Sequence, residues 1–276
     1  MKFIKPLTAT LIMSCCLQLA MAQTDSTKKT RPQFKLSLNY NSGLHYYGRT
    51  DSLKSTGFFP LAEFWITPKF YINAAPVFVN NKLQHFDYAG TVSTAGFLNV
   101  TKKWITNIYV TKPFYKQSSE LVQSALKAQA GINLSFLNKI ININAGGDIK
   151  RSNKTDYGAS AGLDHLIRKQ FKDNSVLVVD PSVYAYAGTQ NFTNTYYQKK
   201  AGFLFFPGTT QQTTEDVQRF SILSYEVSVS VIYAKNKWQV LLTPAYVLPQ
   251  NLIRINGKTE LASNMFYATV GIKHIF

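Results

Sequence analysis

The chain has very little cysteine and no long apolar run. Cys15 and Cys16 are its only cysteines, and both lie in a segment that we expect to be removed. A chain without them has no disulfide framework and no thiolate metal site. After residue 22, no stretch approaches the roughly 20 apolar residues that a membrane-spanning helix needs. The first absence excludes a disulfide-stabilised domain, and the second leaves no candidate spanning helix.

Acidic residues and histidines are also scarce. There are 14 Asp and Glu against 30 Lys and Arg, 4 His, and a formal net charge of +16. This balance suits nucleic acid in an intracellular protein and anionic lipid headgroups in an exported one. Because no Gly-rich phosphate loop, paired-His spacing or calcium loop occurs, we expect no catalytic residue, no metal and no cofactor.

The first 22 residues have the pattern of a signal peptide. Lys2 and Lys5 precede an apolar run, and the small residues at Ala20 and Ala22 precede Gln23, as at a secretory cleavage site. Ile12–Cys15 offers a lipoprotein-processing site as the alternative. Both alternatives predict export, so we expect anionic lipid and not nucleic acid as the partner. Residues 23–33 are polar and predict a flexible periplasmic lead-in.

From residue 34 onwards, apolar and polar residues alternate with a period of two, which is typical of strands with one apolar face. A weak helical pattern occurs only at Glu120–Lys127. We predict 12 strands, with 10 or 14 as the alternatives. The predicted strands are residues 34–47, 57–66, 69–80, 92–101, 104–113, 126–137, 140–150, 156–167, 175–190, 218–234, 237–249 and 264–276.

Short and long connections alternate strictly between these predicted strands. Thr67–Lys69 and Thr101–Lys103 are short, whereas residues 48–56 and 191–217 are long. An even strand count with short turns at one rim and longer loops at the other describes a closed, up-and-down antiparallel transmembrane β-barrel. We therefore predict one all-β domain over residues 34–276.

The last strand completes a resemblance to a known class of proteins. Val270, Ile272 and Phe276 share one face of this strand, and the sequence ends on the aromatic residue. With the signal sequence, the alternation and the loop lengths, this resembles Gram-negative outer-membrane β-barrel proteins of the porin-like or small-barrel type. The resemblance implies localisation in the cell outer membrane, contact with outer-membrane lipid and lipopolysaccharide, and recognition of the last strand by the barrel-assembly machinery. It identifies no subfamily and no oligomeric state.

Charged residues on the predicted inner faces are candidates for a role in the lumen. Such charges must be paired or hydrated, and the interior of a 12-strand barrel is intermediate between a filled core and a wide pore. They predict either an ion-pair network in a closed interior or a narrow pore that sorts solutes. The candidates are Lys35, Glu63, Asp148, Lys150, Asp164, Arg168, Asp180, Glu226 and Lys273.

Aromatic residues predict two further features. Trp65, Trp104 and Trp238 lie beside short turns and predict a belt at the membrane interface. The longest loop, residues 191–217, is rich in aromatic residues for an exposed segment and predicts a constriction or a binding surface. Its candidates are Tyr196, Tyr197, Phe203, Phe205 and Phe206.

Three functions are compatible with these patterns. The first is a narrow pore for small anionic or neutral solutes, or a transport-type barrel of unassigned substrate. The alternative is a non-conducting structural or surface-interaction barrel with a plugged lumen. The third is a lipid-modifying outer-membrane enzyme. For that function His45 and His85 lie towards the suitable rim, but no Ser with Asn or Asp accompanies either at a catalytic spacing, so we expect no enzyme.

Overall fold

The computed structural model describes residues 32–276 except residues 51–52, 84, 117–118, 120, 192–218, 253, 256–257 and 260–261. Its backbone forms 12 long strands that close into an antiparallel barrel. The strands are β1 (Gln33–Asn41), β2 (Thr56–Trp65), β3 (Phe70–Asn80), β4 (Asp87–Val100), β5 (Trp104–Tyr115), β6 (Ala128–Phe136), β7 (Asn142–Arg151), β8 (Thr155–Asp164), β9 (Val176–Gly188), β10 (Ser221–Lys235), β11 (Trp238–Pro249) and β12 (Met265–Ile275).

Each strand pairs with its neighbours in chain order, and β1 pairs with β12 to close the barrel. Leu36 lies opposite His274 on β12 and opposite Ala62 on β2. A closed barrel has no unpaired edge strand, so the backbone can satisfy its hydrogen bonds inside hydrocarbon. The predicted up-and-down barrel of 12 strands is confirmed.

Side chains alternate between the outer wall and the lumen. On β1, Leu36 and Leu38 are 41% and 49% exposed, whereas Lys35 and Ser37 are each 5% exposed. An apolar outer face and a polar inner face are the arrangement of a barrel whose solvent is lipid. The alternation in the sequence therefore predicted the direction of most side chains correctly.

The two rims of the barrel differ in their connections. The short-turn rim carries residues 66–69, 101–103, 137–141, 165–175 and 236–237, and the long-loop rim carries residues 42–55, 81–86, 116–127, 152–154, 189–220 and 250–264. The predicted strict alternation of lengths is wrong in two places. The Ser152 amide donates to Lys154 O in a tight turn on the long-loop rim, and the longer connection 165–175 contains a short strand, Ile167–Gln170, that pairs with β9.

The chain after β1 departs most from the prediction. The predicted strand 34–47 ends at Asn41, whose side-chain oxygen accepts a hydrogen bond of 2.9 Å from the Gly43 amide. Residues 43–50, which we call the inward loop, then turn into the barrel and form a small hairpin of His45–Tyr46 with Arg49–Thr50. Gly48, with a φ of 78°, supplies the left-handed conformation of this hairpin turn.

The remaining elements are short. Arg254–Ile255 pairs with Lys258–Thr259, and a 3₁₀ helix spans Val122–Ala125 within the region of weak helical pattern. No helix among the described residues is long and apolar enough to cross a membrane.

Candidate functional site

The barrel lumen is the candidate site, and its side on β2–β5 is densely packed. Phe59 and Leu61 on β2, Tyr71 on β3 and Leu98 on β4 point inward and are 0–5% exposed. Tyr71 lies flat across its neighbouring strand, where a Cβ on Gly96 would be 2.3 Å from the ring. Large side chains thus fill this side of the lumen as they fill a protein core.

On the opposite side, formed by β6–β10, some inward residues such as Gln129 and Ser230 are buried, but several smaller and more polar ones are half-buried. Their partial exposure shows that wall side chains do not fill this side completely. The charged members are carboxylates. We call this surface the polar strip, and its members are Asn133, Ser135, Ser160, Asp164, Glu226 and Ser228.

A buried ion pair lies where the packed side meets the strands that close the barrel. Lys273 Nζ is 2.7 Å from Glu63 Oε2, and their side chains are 8% and 1% exposed. Lys35 lies directly opposite Glu63 in the β1–β2 ladder, with its Nζ 4.5 Å from the centre of the Trp65 ring. The carboxylate of Glu63 therefore offsets cationic charge that has been withdrawn from water.

A second buried group lies nearer the long-loop rim, on β7 and β8. Lys150 Nζ is 2.8 Å from Asp148 Oδ1. Asp156, which was not among the predicted site residues, accepts hydrogen bonds from Thr189 Oγ1 at 2.6 Å and from the Asn191 amide at 2.8 Å. These contacts attach the start of the 189–220 connection to the inside of the barrel.

Two carboxyl groups meet in the half of the lumen near the short-turn rim. Asp164 accepts hydrogen bonds from the side-chain amides of Asn142, at 2.6 Å, and Asn144. Asp180 contacts Asp164 and is 2% exposed. Its Oδ1 has no hydrogen-bond partner among the described residues. Because like charges repel, two ionised carboxylates in contact here are unfavourable.

The inward loop closes the lumen at the long-loop rim through Arg49, which is 0% exposed. Its guanidinium donates to Leu223 O at 3.1 Å on β10, and to Gln190 Oε1 at 2.8 Å and Gln250 O at 3.0 Å in the connections after β9 and β11. Charge-assisted hydrogen bonds are about twice as strong as neutral ones. Arg49 thus fastens the loop to the far side of the barrel.

Apolar packing holds the other face of the inward loop. Leu44, Tyr46 and Tyr47 pack in one buried cluster with Phe59 and Leu223. The Tyr47 ring lies 5.3 Å from the ring of Tyr186 on β9. The end of the lumen at the long-loop rim is therefore occupied by a segment that is not part of the wall.

The structure corrects two of the predicted site residues. Trp65 is 6% exposed and packs against Tyr71 inside the barrel, with the two rings tilted by 35°, so its assignment to a membrane-interface belt is wrong. The reason is strand parity, because Trp65 shares the inner face of β2 with Glu63. Arg168 lies opposite Val178 on the inward side of its strand pair, but it is exposed at the short-turn rim and not enclosed in the lumen.

The other predicted wall residues lie on the outer surface. Trp104 and Trp238 are 47% and 52% exposed beside short turns, and their role at a membrane interface stays a prediction. Phe276 is 59% exposed on the same wall as Ile272 and Val270, and its amide donates to Phe34 O at 3.0 Å. Recognition by assembly machinery likewise stays a prediction.

Some predicted residues lie elsewhere or cannot be placed. Tyr196, Tyr197, Phe203, Phe205 and Phe206 lie outside the described residues. His45 is 2% exposed inside the lumen, where its ring contacts Tyr267, and His85 is exposed in the connection 81–86. Since His45 does not face lipid, the structure gives no support to a catalytic histidine at the membrane surface.

The sequence reading missed Arg49 and the inward loop. The signals available were Gly43 and Gly48, which flank the buried aromatic pair Tyr46 and Tyr47. The alternation of β1 continues through residues 43–47 and extends the predicted strand to residue 47, whereas Arg49 falls in the predicted connection 48–56.

Comparison with known proteins supports the fold and not a family. No family model and no curated protein matches the chain. The KdgM porin is similar in structure, with a TM-score of 0.50 and 8% identity over 88% of this chain and 99% of the porin. An outer membrane channel from Pseudomonas putida F1 matches with a TM-score of 0.46 and 10% identity over 92% and 100% of the two chains. LpxR from Salmonella typhimurium matches with a TM-score of 0.45 and 12% identity over 88% of this chain and 100% of LpxR.

The closed barrel and the similarity to the KdgM porin define a class of fold. The chain has the fold of an outer-membrane β-barrel, and the predicted resemblance is confirmed at that level. Within the class, this chain is a 12-strand barrel with an inward first loop.

Proposed function

We propose that this protein is a narrow outer-membrane channel for small solutes whose resting lumen is closed by the inward loop. The observation that carries the proposal is the contrast between the packed side and the polar strip. A barrel that is only a structural element has no need for a half-buried, hydrophilic lining along one side. In this proposal the long-loop rim faces the cell exterior, as in other barrels of the class.

The charges of the polar strip indicate the preferred solutes. Asp164 and Glu226 are its charged members, and both are acidic. A surface lined by one sign of charge concentrates ions of the opposite sign, and the inward cations Lys35, Lys150 and Lys273 are buried away from this strip. We therefore propose cations and neutral solutes, in place of the anionic solutes expected from the basic sequence. The excess of lysine lies mostly at the rims, including Lys102, Lys103 and Lys237.

The decisive experiment is conductance of the refolded protein in planar bilayers. We expect the native chain to be closed most of the time. Arg49→Ala removes the contacts to β10 and to the connections after β9 and β11, so we expect the open fraction to rise about tenfold or more, since one hydrogen bond to a charged group contributes about 1.5–3 kcal/mol. Lys54→Gln is the control, because Lys54 is an exposed cation in the same connection.

A reversible lock separates opening from misfolding. Arg49 and Ala262 are paired in an antiparallel bridge, a geometry within the span of a disulfide. The chain from residue 23 onwards has no other cysteine. Arg49→Cys combined with Ala262→Cys should conduct when reduced and close when oxidised. Silence of Arg49→Ala and of the reduced lock would overturn the proposal and favour the plugged, non-conducting barrel.

A further inference from the structure

Two cations share one row of the outer wall near the long-loop rim. The register that pairs Thr111 with Gln129 places Lys112 beside Ala128, and Ala128 lies opposite Arg151. Arg151 in turn lies opposite Thr155. Lys112 and Arg151 point outward and are exposed. We call this row across β5–β8, from Lys112 to Thr155, the basic row.

The basic row lies near the edge of the apolar band, with Phe114 of β5, 57% exposed and with its ring centre 5.9 Å from Lys112 Nζ, as the large apolar residue beyond it. The next row towards the middle of the barrel consists of Val110, Ala130, Ile149 and Tyr157. Three of these residues, Val110, Ile149 and Tyr157, are 53–56% exposed on the wall, as residues in contact with lipid chains would be. Lys112 and Arg151 therefore lie at the depth where hydrocarbon gives way to headgroups.

The charge of this sector is one-sided. Lys127 and Lys154 are exposed in the connections directly above the row. The described acidic residues of β5–β8, namely Asp148, Asp156 and Asp164, all lie on inward-facing positions. Cations at the edge of hydrocarbon are unfavourable unless an anion or water accompanies them. Among the described residues of this sector, no carboxylate faces the row, so an anion or water from the surroundings can accompany its cations.

The shape of the row suits a phosphate. Ala128 is the smallest side chain of the row and leaves a notch between Lys112 and Arg151. Arg151 Nη1 donates to Thr155 Oγ1 at 2.7 Å, which holds the guanidinium along the row. Among the described residues, no other acceptor contacts Arg151. Its remaining N–H groups have the fork geometry that binds phosphate oxygens.

We propose that the basic row binds the phosphate of a phosphorylated glycolipid in the outer leaflet, with the acyl chains of the lipid lying along the apolar row beneath. Lys112 and Arg151 contact the phosphate from either side of Ala128, and Lys127 and Lys154 add long-range attraction. This proposal rests on the membrane orientation in the proposed function and not on conductance.

Native mass spectrometry of the folded barrel with diphosphoryl lipid A tests the site. Lys112→Gln combined with Arg151→Gln should reduce the lipid-bound fraction by about tenfold or more, because each cation near an anionic surface contributes about 1 kcal/mol. Lys102→Gln combined with Lys103→Gln is the matched control. It removes the same charge from exposed residues at the short-turn rim and should leave lipid binding unchanged.

Two further measurements separate a phosphate site from general attraction. Ala128→Leu keeps every charge but fills the notch, and it should also weaken lipid A binding. Lipid A without its phosphates should bind no better to the native chain than to the double variant, and millimolar inorganic phosphate should not displace the lipid. Equal loss in the control variant, or undiminished binding of dephosphorylated lipid, would overturn the site. Neither result would alter the conductance of the Arg49 variants.

Discussion

The two sides of the lumen are built from the same alternating strands but are filled differently. On β2–β5 the inward residues include Phe59, Tyr71 and Leu98, which are 0–5% exposed. On β6–β10 they include Asn133, Ser160 and Glu226, which are half-buried. Strand number sets the space inside a barrel, and the size of the inward side chains decides how much of that space remains. One side therefore serves as a core and the other as a lining.

This difference assigns different roles to residues of the same type. Glu63 is 0% exposed and contacts Lys273 within the filled region, so its carboxylate belongs to the structure. Glu226 is half-buried on the polar strip and accepts a hydrogen bond from the buried Tyr267, and in the proposed channel its partly exposed carboxylate meets the solute. The comparison predicts that neutralising the first affects stability and that neutralising the second affects ion preference.

The largest expected effect is on the stability of the folded barrel. Glu63→Gln leaves the buried Lys273 without its carboxylate, and removing one partner of a buried ion pair costs about 3–5 kcal/mol. We expect urea unfolding of the refolded barrel, followed by tryptophan fluorescence, to show a loss of this size. Glu226→Gln is the control, for which we expect a change within about 1 kcal/mol. Similar losses in the two variants would show that the two sides do not differ as described.

Much of this architecture could be predicted from the sequence because hydrocarbon imposes a strict rule on the outer face. Twelve strands and most boundaries follow from that rule, as on β7, where Ile143 and Ile149 face outward. The filling of the lumen follows no such rule. Glu63 and Lys273 are 210 residues apart in the chain, so their contact depends on how the barrel closes.

The inward loop is a second feature that the alternation of apolar residues does not predict. Leu44 and Tyr46 continue the apolar pattern of β1, yet they bury against the lumen in place of lipid. A pattern of apolar residues reports burial but does not say which surface provides it. The position of Arg49 depends on acceptors that β10 and the connections after β9 and β11 bring together, so the nearby glycines can indicate a turn but not this contact.

Smaller changes in stability, of opposite sign, are expected for two neighbouring carboxyl groups on the polar side. Asp164→Asn replaces one of the two oxygens that accept from Asn142 and Asn144 by a donor group, and we expect a loss of about 1–3 kcal/mol for the donor left unpaired. Asp180→Asn replaces a carboxyl group in contact with Asp164 by an amide that can donate to it, and we expect a gain of about 1 kcal/mol.

The same urea titration measures both changes at neutral pH. Opposite signs would show that Asp164 is the acceptor of this group and that Asp180 is held there against repulsion. Losses in both variants would indicate that Asp180 makes a stabilising contact and is not held beside Asp164 against repulsion.

The smallest effect concerns the ion preference of the open channel, and it tests directly whether the polar strip lines the path of ions. In the open Arg49→Ala channel, we expect Glu226→Gln to lower the permeability ratio of potassium to chloride by about fourfold, because a unit charge about 10 Å from an ion in water contributes about 0.4 kcal/mol, with opposite signs for the two ions. The reversal potential across a KCl gradient reports this ratio. Glu63→Gln in the same background should leave it unchanged, since Glu63 is enclosed by the packed side. Equal shifts in both variants would mean that the path of ions runs through the centre of the lumen and not along the polar strip.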